Sequence, residues 1–255
     1  MKTKKLLKAG IMVLVLLAFS AKLTAQDKIT FTWQARGIGY EKAFNIQATE
    51  NKKITIDWGD NIIETQTIKL MWVTKDIFYM NLYHTYTTAG EYKVTIIADN
   101  DCRFTGFNCS TAQLTELDIK NCSALTYLYC DNNKLTTLDL SDYPNLQYLH
   151  CSDNHLTILK LPKKSNLIEL SCCYNKLTKL DVTGYSELKD LRCHVNQLTT
   201  LNLTGCLSLQ SLHCEINKLK KLDLKGCPNL RYLNYDNNKL KLKNKRKTKK
   251  LITNH

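Results

Sequence analysis

The chain has 255 residues, of which 44% are hydrophobic and 23% charged, a balance typical of a globular protein with a sizeable core. Only nine Gly and three Pro occur, which excludes a collagen-like or proline-rich chain. The formal net charge of +13 would suit a nucleic-acid binder, but residues 1–25 hold five Lys and residues 241–255 hold seven Lys or Arg, with no acid in either segment. Residues 26–240 therefore carry only +1, so the basic charge belongs to the two ends and nucleic acid is not indicated as a partner.

The N-terminus has the organisation of a secretory signal. A lysine-rich start is followed by an apolar run over residues 11–19 and then by the small residues Ser20, Ala21 and Ala25. The apolar run is too short to span a bilayer, which takes ~20 residues. The pattern predicts a signal peptide over residues 1–25, cleaved after Ala25, and an exported protein that is secreted, at the cell surface or in the periplasm.

Residues 26–100 show strand patterns rather than any repeat. Residues 29–33, 53–58 and 92–97 are rich in β-branched and aromatic side chains. Two motifs stand among them, Trp-Gly-Asp-Asn at residues 58–61 and His-x-Tyr-x-x-x-Gly-x-Tyr-x-Val at residues 84–94. The pair resembles the PKD-like β-sandwich family, with Asn61 in place of a glycine. This replacement is tolerated because asparagine, like glycine, also adopts left-handed backbone conformations.

The resemblance implies a small β-sandwich domain over residues 26–100, joined to the rest at about residues 99–103. We interpret Trp58, Tyr86 and Tyr92 as core and corner residues. Asp57 and Asp60 allow two interpretations, a calcium-binding pair or carboxylates that stabilise a turn, and the turn is favoured.

From residue 104 the chain repeats every 21 residues without an insertion. The seven units open at Phe104, Leu125, Leu146, Leu167, Leu188, Leu209 and Leu230, and their pattern is LxxLxCxxNxLxxLxL. A fixed period in this range with this pattern is the leucine-rich repeat signature, so residues 104–240 are predicted to form a solenoid with parallel strands on its concave face. The chain is therefore mainly β.

Each column of the repeat has a physical reason. Positions four and six, such as Leu128 and Cys130, point inward from a short strand, and the asparagine column turns the chain. A second apolar pair, such as Leu138 and Leu140, fills the opposite wall. Twenty-one residues leave little room for a full helix, so we expect a β or 3₁₀ convex side.

Six of the eleven cysteines share one inward column, namely Cys109, Cys130, Cys151, Cys172, Cys193 and Cys214. Eleven cysteines in an exported chain normally suggest disulfides, but parallel side chains one strand apart keep their Cβ atoms near ~4.8 Å, whereas a disulfide needs ~3.8 Å. We therefore predict a buried ladder of free thiols that act as small hydrophobes. Cys206 and Cys227, at the outer turn, are the pair most suited to be an exception.

The unit with cysteine at an inward column resembles the internalin J type of bacterial leucine-rich repeat protein. The resemblance covers residues 104–240 and implies a secreted or surface adhesion molecule, that is, binding rather than catalysis.

The concave positions three, five and seven should face solvent, and the candidate partner-binding residues are Tyr127, Tyr129, Tyr148, His150, Arg192, His194, His213 and Tyr232. Tyrosine offers a large, rigid contact area with a polar tip. The alternative is that aromatic residues simply favour strands. A second alternative, a transition-metal site at Cys173, His194, His213 and Glu215, lacks the spacing of a structural zinc site, so we predict no metal.

No Ser-His-Asp order, phosphate-binding glycine loop or HExxH motif occurs, so we predict neither an enzyme nor a cofactor. The expected function is a binding or adhesion module whose partner is a protein or a glycan. The alternative is an envelope-associated structural protein held on anionic membrane or polymer by the basic tail 241–255.

Overall fold

The computed structural model describes residues 26–35, 40–49, 51–69, 71–74 and 77–240. The predicted signal peptide and the basic tail therefore lie outside the described residues. All regular structure in these ranges is β, and they contain no helix suited to crossing a membrane.

The described residues form two large sheets and one small one. The strands are β1 Lys28–Ala35, β2 Tyr40–Ala48, β3 Lys53–Asp57, β4 Ile63–Thr67, β5 Met71–Thr74, β6 Ile77–Tyr86, β7 Gly90–Ala98, β8 Phe104–Asn108, β9 Glu116–Lys120, β10 Tyr127–Tyr129, β11 Thr137–Asp139, β12 Tyr148–His150, β13 Ile158–Lys160, β14 Glu169–Ser171, β15 Asp190–Arg192, β16 Ser211–His213 and β17 Tyr232–Asn234. One sheet has the order β4-β3-β7-β1-β9, the long sheet has the order β17-β16-β15-β14-β12-β10-β8-β2-β6-β5, and β11 pairs with β13.

The repeat units appear as the parallel part of the long sheet, from β8 to β17. Neighbouring strands align residues that are 21 apart, as in the pairs Tyr127↔Tyr148 and Leu128↔Leu149. The seven predicted units thus supply seven parallel strands, and the fold is a mainly β solenoid of about six turns. The predicted solenoid is confirmed.

The apolar columns occupy the interior as predicted. Leu128, Leu138 and Leu140 are buried, so leucines of both walls meet inside each coil. The convex side is extended where it is regular, with strands β9, β11 and β13 and a single bridge between Asp181 and Asn202. Of the two forms expected for this side, the structure adopts the β form.

A buried asparagine joins each coil to the one before it. The Asn175 side-chain Nδ2 donates to the carbonyl oxygens of Cys151, Cys172 and Cys173 at 3.0, 3.2 and 3.1 Å. Its Oδ1 accepts from the backbone N–H of Leu156 at 2.9 Å. Asn133, Asn154, Asn196 and Asn217 repeat this set of bonds. The first unit has Ala112 at this position, which is consistent with there being no earlier coil to bond.

The six ladder cysteines are buried, and all eleven cysteines are free thiols. Burial raises the pKa of each ladder thiol, to about 12 at Cys214 and well above the ordinary value at Cys130 and Cys193. The pair Cys206 and Cys227 is not bridged, and Cys206 Sγ instead donates to the carbonyl oxygen of Val182 at 3.3 Å. The predicted ladder is confirmed, while the suggested exception does not occur.

The N-terminal strands continue the two walls of the solenoid. Strand β2 pairs antiparallel with β8 of the first coil, and β1 pairs antiparallel with β9 of the same coil. The ring of Phe31 packs on Phe44 and on Phe107, with centroids 4.6 and 5.9 Å apart. Buried residues of both parts form one cluster, so the sheets cross the predicted joint at residues 99–103 and residues 26–100 cover the first coil.

The two N-terminal motifs meet at one corner. The Tyr86 hydroxyl donates to the carbonyl oxygen of Trp58 at 2.7 Å, and the ring of His84 stacks on Trp58 with centroids 4.6 Å apart. The Asp57 and Asp60 carboxylates accept from the N–H groups of Gly59 and Ile62, as turn-stabilising residues do. Asn61 has a φ of 71°, the left-handed conformation expected from the sequence. The PKD-like assignment itself stays a prediction.

The asparagine bonds lead to a stability prediction. Replacing Asn175 by Ala leaves the buried Leu156 N–H without its partner and removes three further hydrogen bonds to carbonyl groups, so we expect the free energy of unfolding to fall by about 2–4 kcal/mol in a urea titration. The neighbouring exposed Lys176→Ala variant is the control and should change it by less than about 0.5 kcal/mol. Equal stability of both variants would contradict the role of the asparagine column.

The ladder leads to a prediction about pH. The native thiols keep their protons at pH values where the unfolded chain, with the ordinary cysteine pKa of 9.0, releases them. Stability is therefore complete below about pH 9 and should fall as the pH rises, by up to about 1.4 kcal/mol per pH unit for each ladder thiol. Urea titrations between about pH 7 and pH 10.5 measure this fall.

The control for the pH effect is Cys172→Val, which removes one titrating group and keeps an apolar side chain of similar size. This variant should show a shallower loss of stability above pH 9. A pH profile as steep as that of the parent chain would show that the Cys172 thiol does not titrate in this way.

Candidate functional site

The candidate site lies on the outer face of the parallel strands β8 to β17. Along each strand the inward leucine at position four is flanked by side chains at positions three and five that point the other way. Tyr129, Tyr148, His150 and His213 are partly exposed, while Arg192 and Tyr232 are exposed. The sequence prediction of exposure holds for these residues.

An aromatic cluster occupies the first half of this face. The rings of Tyr129 and His150 stack with centroids 4.5 Å apart, across adjacent coils. His150 Nε2 lies 3.0 Å from Glu169 Oε1 on the next coil, and these two side chains are 28% and 27% exposed. One chain of contacts therefore links three coils and holds the imidazole in a defined orientation.

Tyr127 is an exception, because it is only 8% exposed and the prediction that it faces solvent is wrong. Its partner in the sheet is Gly106, and a Cβ placed on that glycine would meet the Tyr127 ring at 1.8 Å. The ring thus lies over the glycine and fills the space that a side chain would otherwise take. Its centroid is 5.3 Å from that of Tyr129, so Tyr127 supports the exposed ring.

A second aromatic cluster occupies the last coils. The ring centroids of His213 and Tyr232 are 4.7 Å apart, those of His194 and His213 are 6.1 Å apart, and Tyr174 meets His194 edge-on at 5.4 Å. Tyr174 was not among the sequence candidates. It stands at position eight, in the turn after the strand, where alternation along the strand gives no information.

An ion pair separates the two clusters. Arg192 Nη2 donates to Asp190 Oδ2 at 2.8 Å, and the Arg192 side chain is 46% exposed. Exposed pairs of this kind add little to stability, roughly 0–1 kcal/mol. The guanidinium therefore keeps most of its capacity for contact with a partner.

His194 and Glu215 form a polar spot with unused hydrogen-bonding capacity. His194 Nδ1 is 3.9 Å from Glu215 Oε1, and neither His194 Nδ1 nor Glu215 Oε2 has a hydrogen-bond partner. Burial lowers the pKa of His194, which favours the neutral imidazole. The two side chains are only 18% and 15% exposed and the unpartnered atoms are themselves buried, so they lie beneath the surface that a partner would touch.

The alternative metal site does not assemble. The Cys173 thiol is buried and donates to Ser152 Oγ at 3.1 Å. Within the described part of the chain no group of three or more His, Cys, Asp or Glu side chains is arranged to hold a metal ion. Of the four residues considered from sequence, Cys173 thus forms a buried hydrogen bond, whereas His194, His213 and Glu215 lie on the outer face of the strands.

The geometry defines a leucine-rich repeat solenoid with a cysteine ladder inside one wall. Among solved structures, the functional domain of InlJ from Listeria monocytogenes, which includes a cysteine ladder, is 42% identical, with a TM-score of 0.52. The match covers 53% of this chain and 30% of that chain, so the chain spans less than a third of its length.

Two further structures match with TM-scores too low to support an argument. YopM from Yersinia enterocolitica is 32% identical over 46% of this chain and 25% of that chain, with a TM-score of 0.41. A leucine-rich repeat protein of Leptospira interrogans is 25% identical over 52% of this chain and 48% of that chain, with a TM-score of 0.38. No protein-family model and no curated protein matches the chain.

The position of Tyr127 can be tested by filling the space beneath its ring. Gly106→Ala should push the ring into solvent and lower the free energy of unfolding by about 1–3 kcal/mol. In a Tyr127→Ala background the same glycine substitution should change stability by less than about 0.5 kcal/mol, because the clash is gone. Additive losses in this double-mutant cycle would show that the two residues do not interact.

Proposed function

We propose that this chain is an exported binding or adhesion module that recognises a protein or glycan partner on the concave face of its solenoid. The observation that carries the proposal is two groups of partly or fully exposed rings on one face of the parallel strands, Tyr129 with His150 at one end and His213 with Tyr232 at the other. The proposal involves no acid–base or nucleophilic groups in a cleft, such as an enzyme would use.

The arrangement suits recognition better than folding. Tyr127 shows what an aromatic residue does here when it serves packing, because its ring is buried over Gly106. Tyr129, Tyr148 and Tyr232 keep part of their rings in solvent, which the core does not require. A strand preference for aromatic residues explains the residue type but not this accessible area.

Ring contacts also prepare the surface for binding. A side chain that is already held by a neighbour loses less rotamer freedom when a partner binds. The entropic cost of binding is therefore smaller and the affinity is higher. The stack of Tyr129 on His150 and the bond of His150 to Glu169 hold three side chains in this way. The exposed guanidinium of Arg192 adds a hydrogen-bonding group between the rings.

The similarity to the functional domain of InlJ supports a binding module of the internalin type. Export is supported by the charged and apolar organisation of residues 1–25. A second function is favoured by a different observation, the seven basic and no acidic residues in 241–255, which would hold the protein on an anionic membrane or polymer.

The test is a set of variants on two faces of the solenoid. A partner is first isolated with the chain from residue 26 onward and identified by mass spectrometry, and its affinity is measured by surface plasmon resonance. The triple variant Tyr129→Ser, Tyr148→Ser and Tyr232→Ser should weaken binding by at least about 100-fold, since central aromatic residues often contribute ~2 kcal/mol or more each.

The control is the convex triple Thr137→Ser, Asp142→Ser and Thr178→Ser, all exposed, which should leave affinity within about twofold. Equal affinity of the two triples would refute concave recognition.

Tail-driven association should be lost when the salt concentration is raised, because screening weakens contacts between exposed charges, whereas binding by the rings should persist. Salt-sensitive binding that the concave triple leaves intact would favour the envelope alternative.

A further inference from the structure

Each of the six coils from residue 125 onward turns through a left-handed residue just before its asparagine. The residues at this position have φ values between 51° and 55°, and they are Asn132, Asp153, Tyr174, Val195, Ile216 and Asn237. Asparagine and aspartate adopt this conformation readily, whereas a bulky or β-branched side chain brings its Cβ too close to the carbonyl oxygen. Three consecutive coils therefore carry residues that oppose the backbone conformation they hold.

Burial does not explain why these three positions carry large apolar side chains. Tyr174 is 51% exposed, Ile216 is 48% exposed and Val195 is partly exposed. Their backbone N–H groups bond to the following coil, with Tyr174 N to His194 O at 3.1 Å, Val195 N to Glu215 O at 3.1 Å and Ile216 N to Asp236 O at 2.9 Å. Because stacked coils are ~4.8 Å apart, the three residues follow one another along the solenoid over about 10 Å.

We call Tyr174, Val195 and Ile216 the turn ridge. An asparagine at each position would relieve the backbone strain and remove exposed apolar surface, so folding gains from neither property of the ridge. Strained backbone and contiguous exposed apolar groups are both typical of contact surfaces. The two features coincide on the same three residues, which points to a ligand that covers them.

The charges beside the ridge indicate the chemistry of that ligand. Two positions further along each coil stands a column without any acid, made of Lys134, His155, Lys176, Gln197, Lys218 and Lys239. Lys218 Nζ donates to Gln197 Oε1 at 2.8 Å, which holds this ammonium group beside the ridge. On the strand side Glu215 is only 15% exposed, and the exposed acids Asp153 and Asp236 stand one coil beyond either end of the ridge. The exposed charged groups level with the ridge in this column are therefore Lys176 and Lys218.

We propose that the turn ridge and its neighbours Lys176 and Lys218 form a second contact surface, separate from the concave rings, that takes a protein segment with apolar side chains next to carboxylates. The apolar side chains cover the ridge and the carboxylates meet the lysines. The surface adjoins the concave face through the contact of Tyr174 with His194, so one partner can touch both.

The first test measures stability and needs no partner. In the full chain, the triple variant Tyr174→Asn, Val195→Asn and Ile216→Asn should raise the melting temperature by at least about 3 °C, since each substitution relieves left-handed strain. A residue that serves the fold would give the opposite sign. A lower melting temperature for the triple variant would overturn the proposal.

The second test measures binding with defined probes. Fluorescein-labelled peptides of alternating leucine and glutamate, serine and glutamate, and leucine and lysine are titrated with the full chain, and anisotropy is followed. The leucine–glutamate peptide should bind at least about 10-fold more tightly than the other two, because only it offers both apolar and acidic groups. The serine–glutamate peptide also accounts for any attraction by the basic tail.

Variants then locate the site. The asparagine triple and the double variant Lys176→Glu with Lys218→Glu should each weaken binding of the leucine–glutamate peptide by about 10-fold or more, and the convex triple at Thr137, Asp142 and Thr178 should not. Unchanged binding by the asparagine triple, or equal binding of all three peptides, would overturn the proposal. Loss of binding only in the concave triple would assign the peptide to the concave rings and would also refute a separate surface.

Discussion

The buried asparagine amide is the constraint on which the structure depends. Each one spans two coils, since its Nδ2 bonds to the cysteine carbonyl of the coil before and its Oδ1 accepts from a leucine N–H of that same coil, as Asn175 does with Cys151 and Leu156. A buried polar group that is left unpaired destabilises the fold, so these bonds fix the register of each coil on the one before it. Together with the constant 21-residue period, this register keeps every column of side chains aligned.

Because the units are aligned, the residues at one position of successive units form a stripe along the molecule. On the inner wall the stripe is a ladder of thiols, small and protonated, whose pKa values are raised by burial. On the outer face it is the row of rings that we propose as the binding surface, and at the turns it is the apolar ridge. A rigid stacked scaffold can carry exposed aromatic and strained residues because stability comes from the columns beneath them.

The N-terminal part covers the end of the first coil, which in any solenoid would otherwise be exposed. Strands β2 and β1 pair with β8 and β9, so both walls end on hydrogen-bonded strands rather than on open edges. Phe31, Phe44 and Phe107 then close the core across the junction. The binding face proposed above thus begins on a sheet that runs through both parts of the chain.

The sequence by itself determined the repeat, the buried leucines, the thiol ladder and the exposed faces of Tyr129 and His150, because these follow from a fixed period and from alternation along a strand. The tertiary structure alone decided where Tyr127 goes, since the space for its ring is made by Gly106 on the neighbouring strand. It also revealed the turn ridge, because left-handed φ values and exposure at Val195 and Ile216 belong to the turn and not to the pattern. The continuity of the sheets across residues 99–103 rests on the antiparallel pairing of β2 with β8, a contact between distant segments that local sequence does not encode.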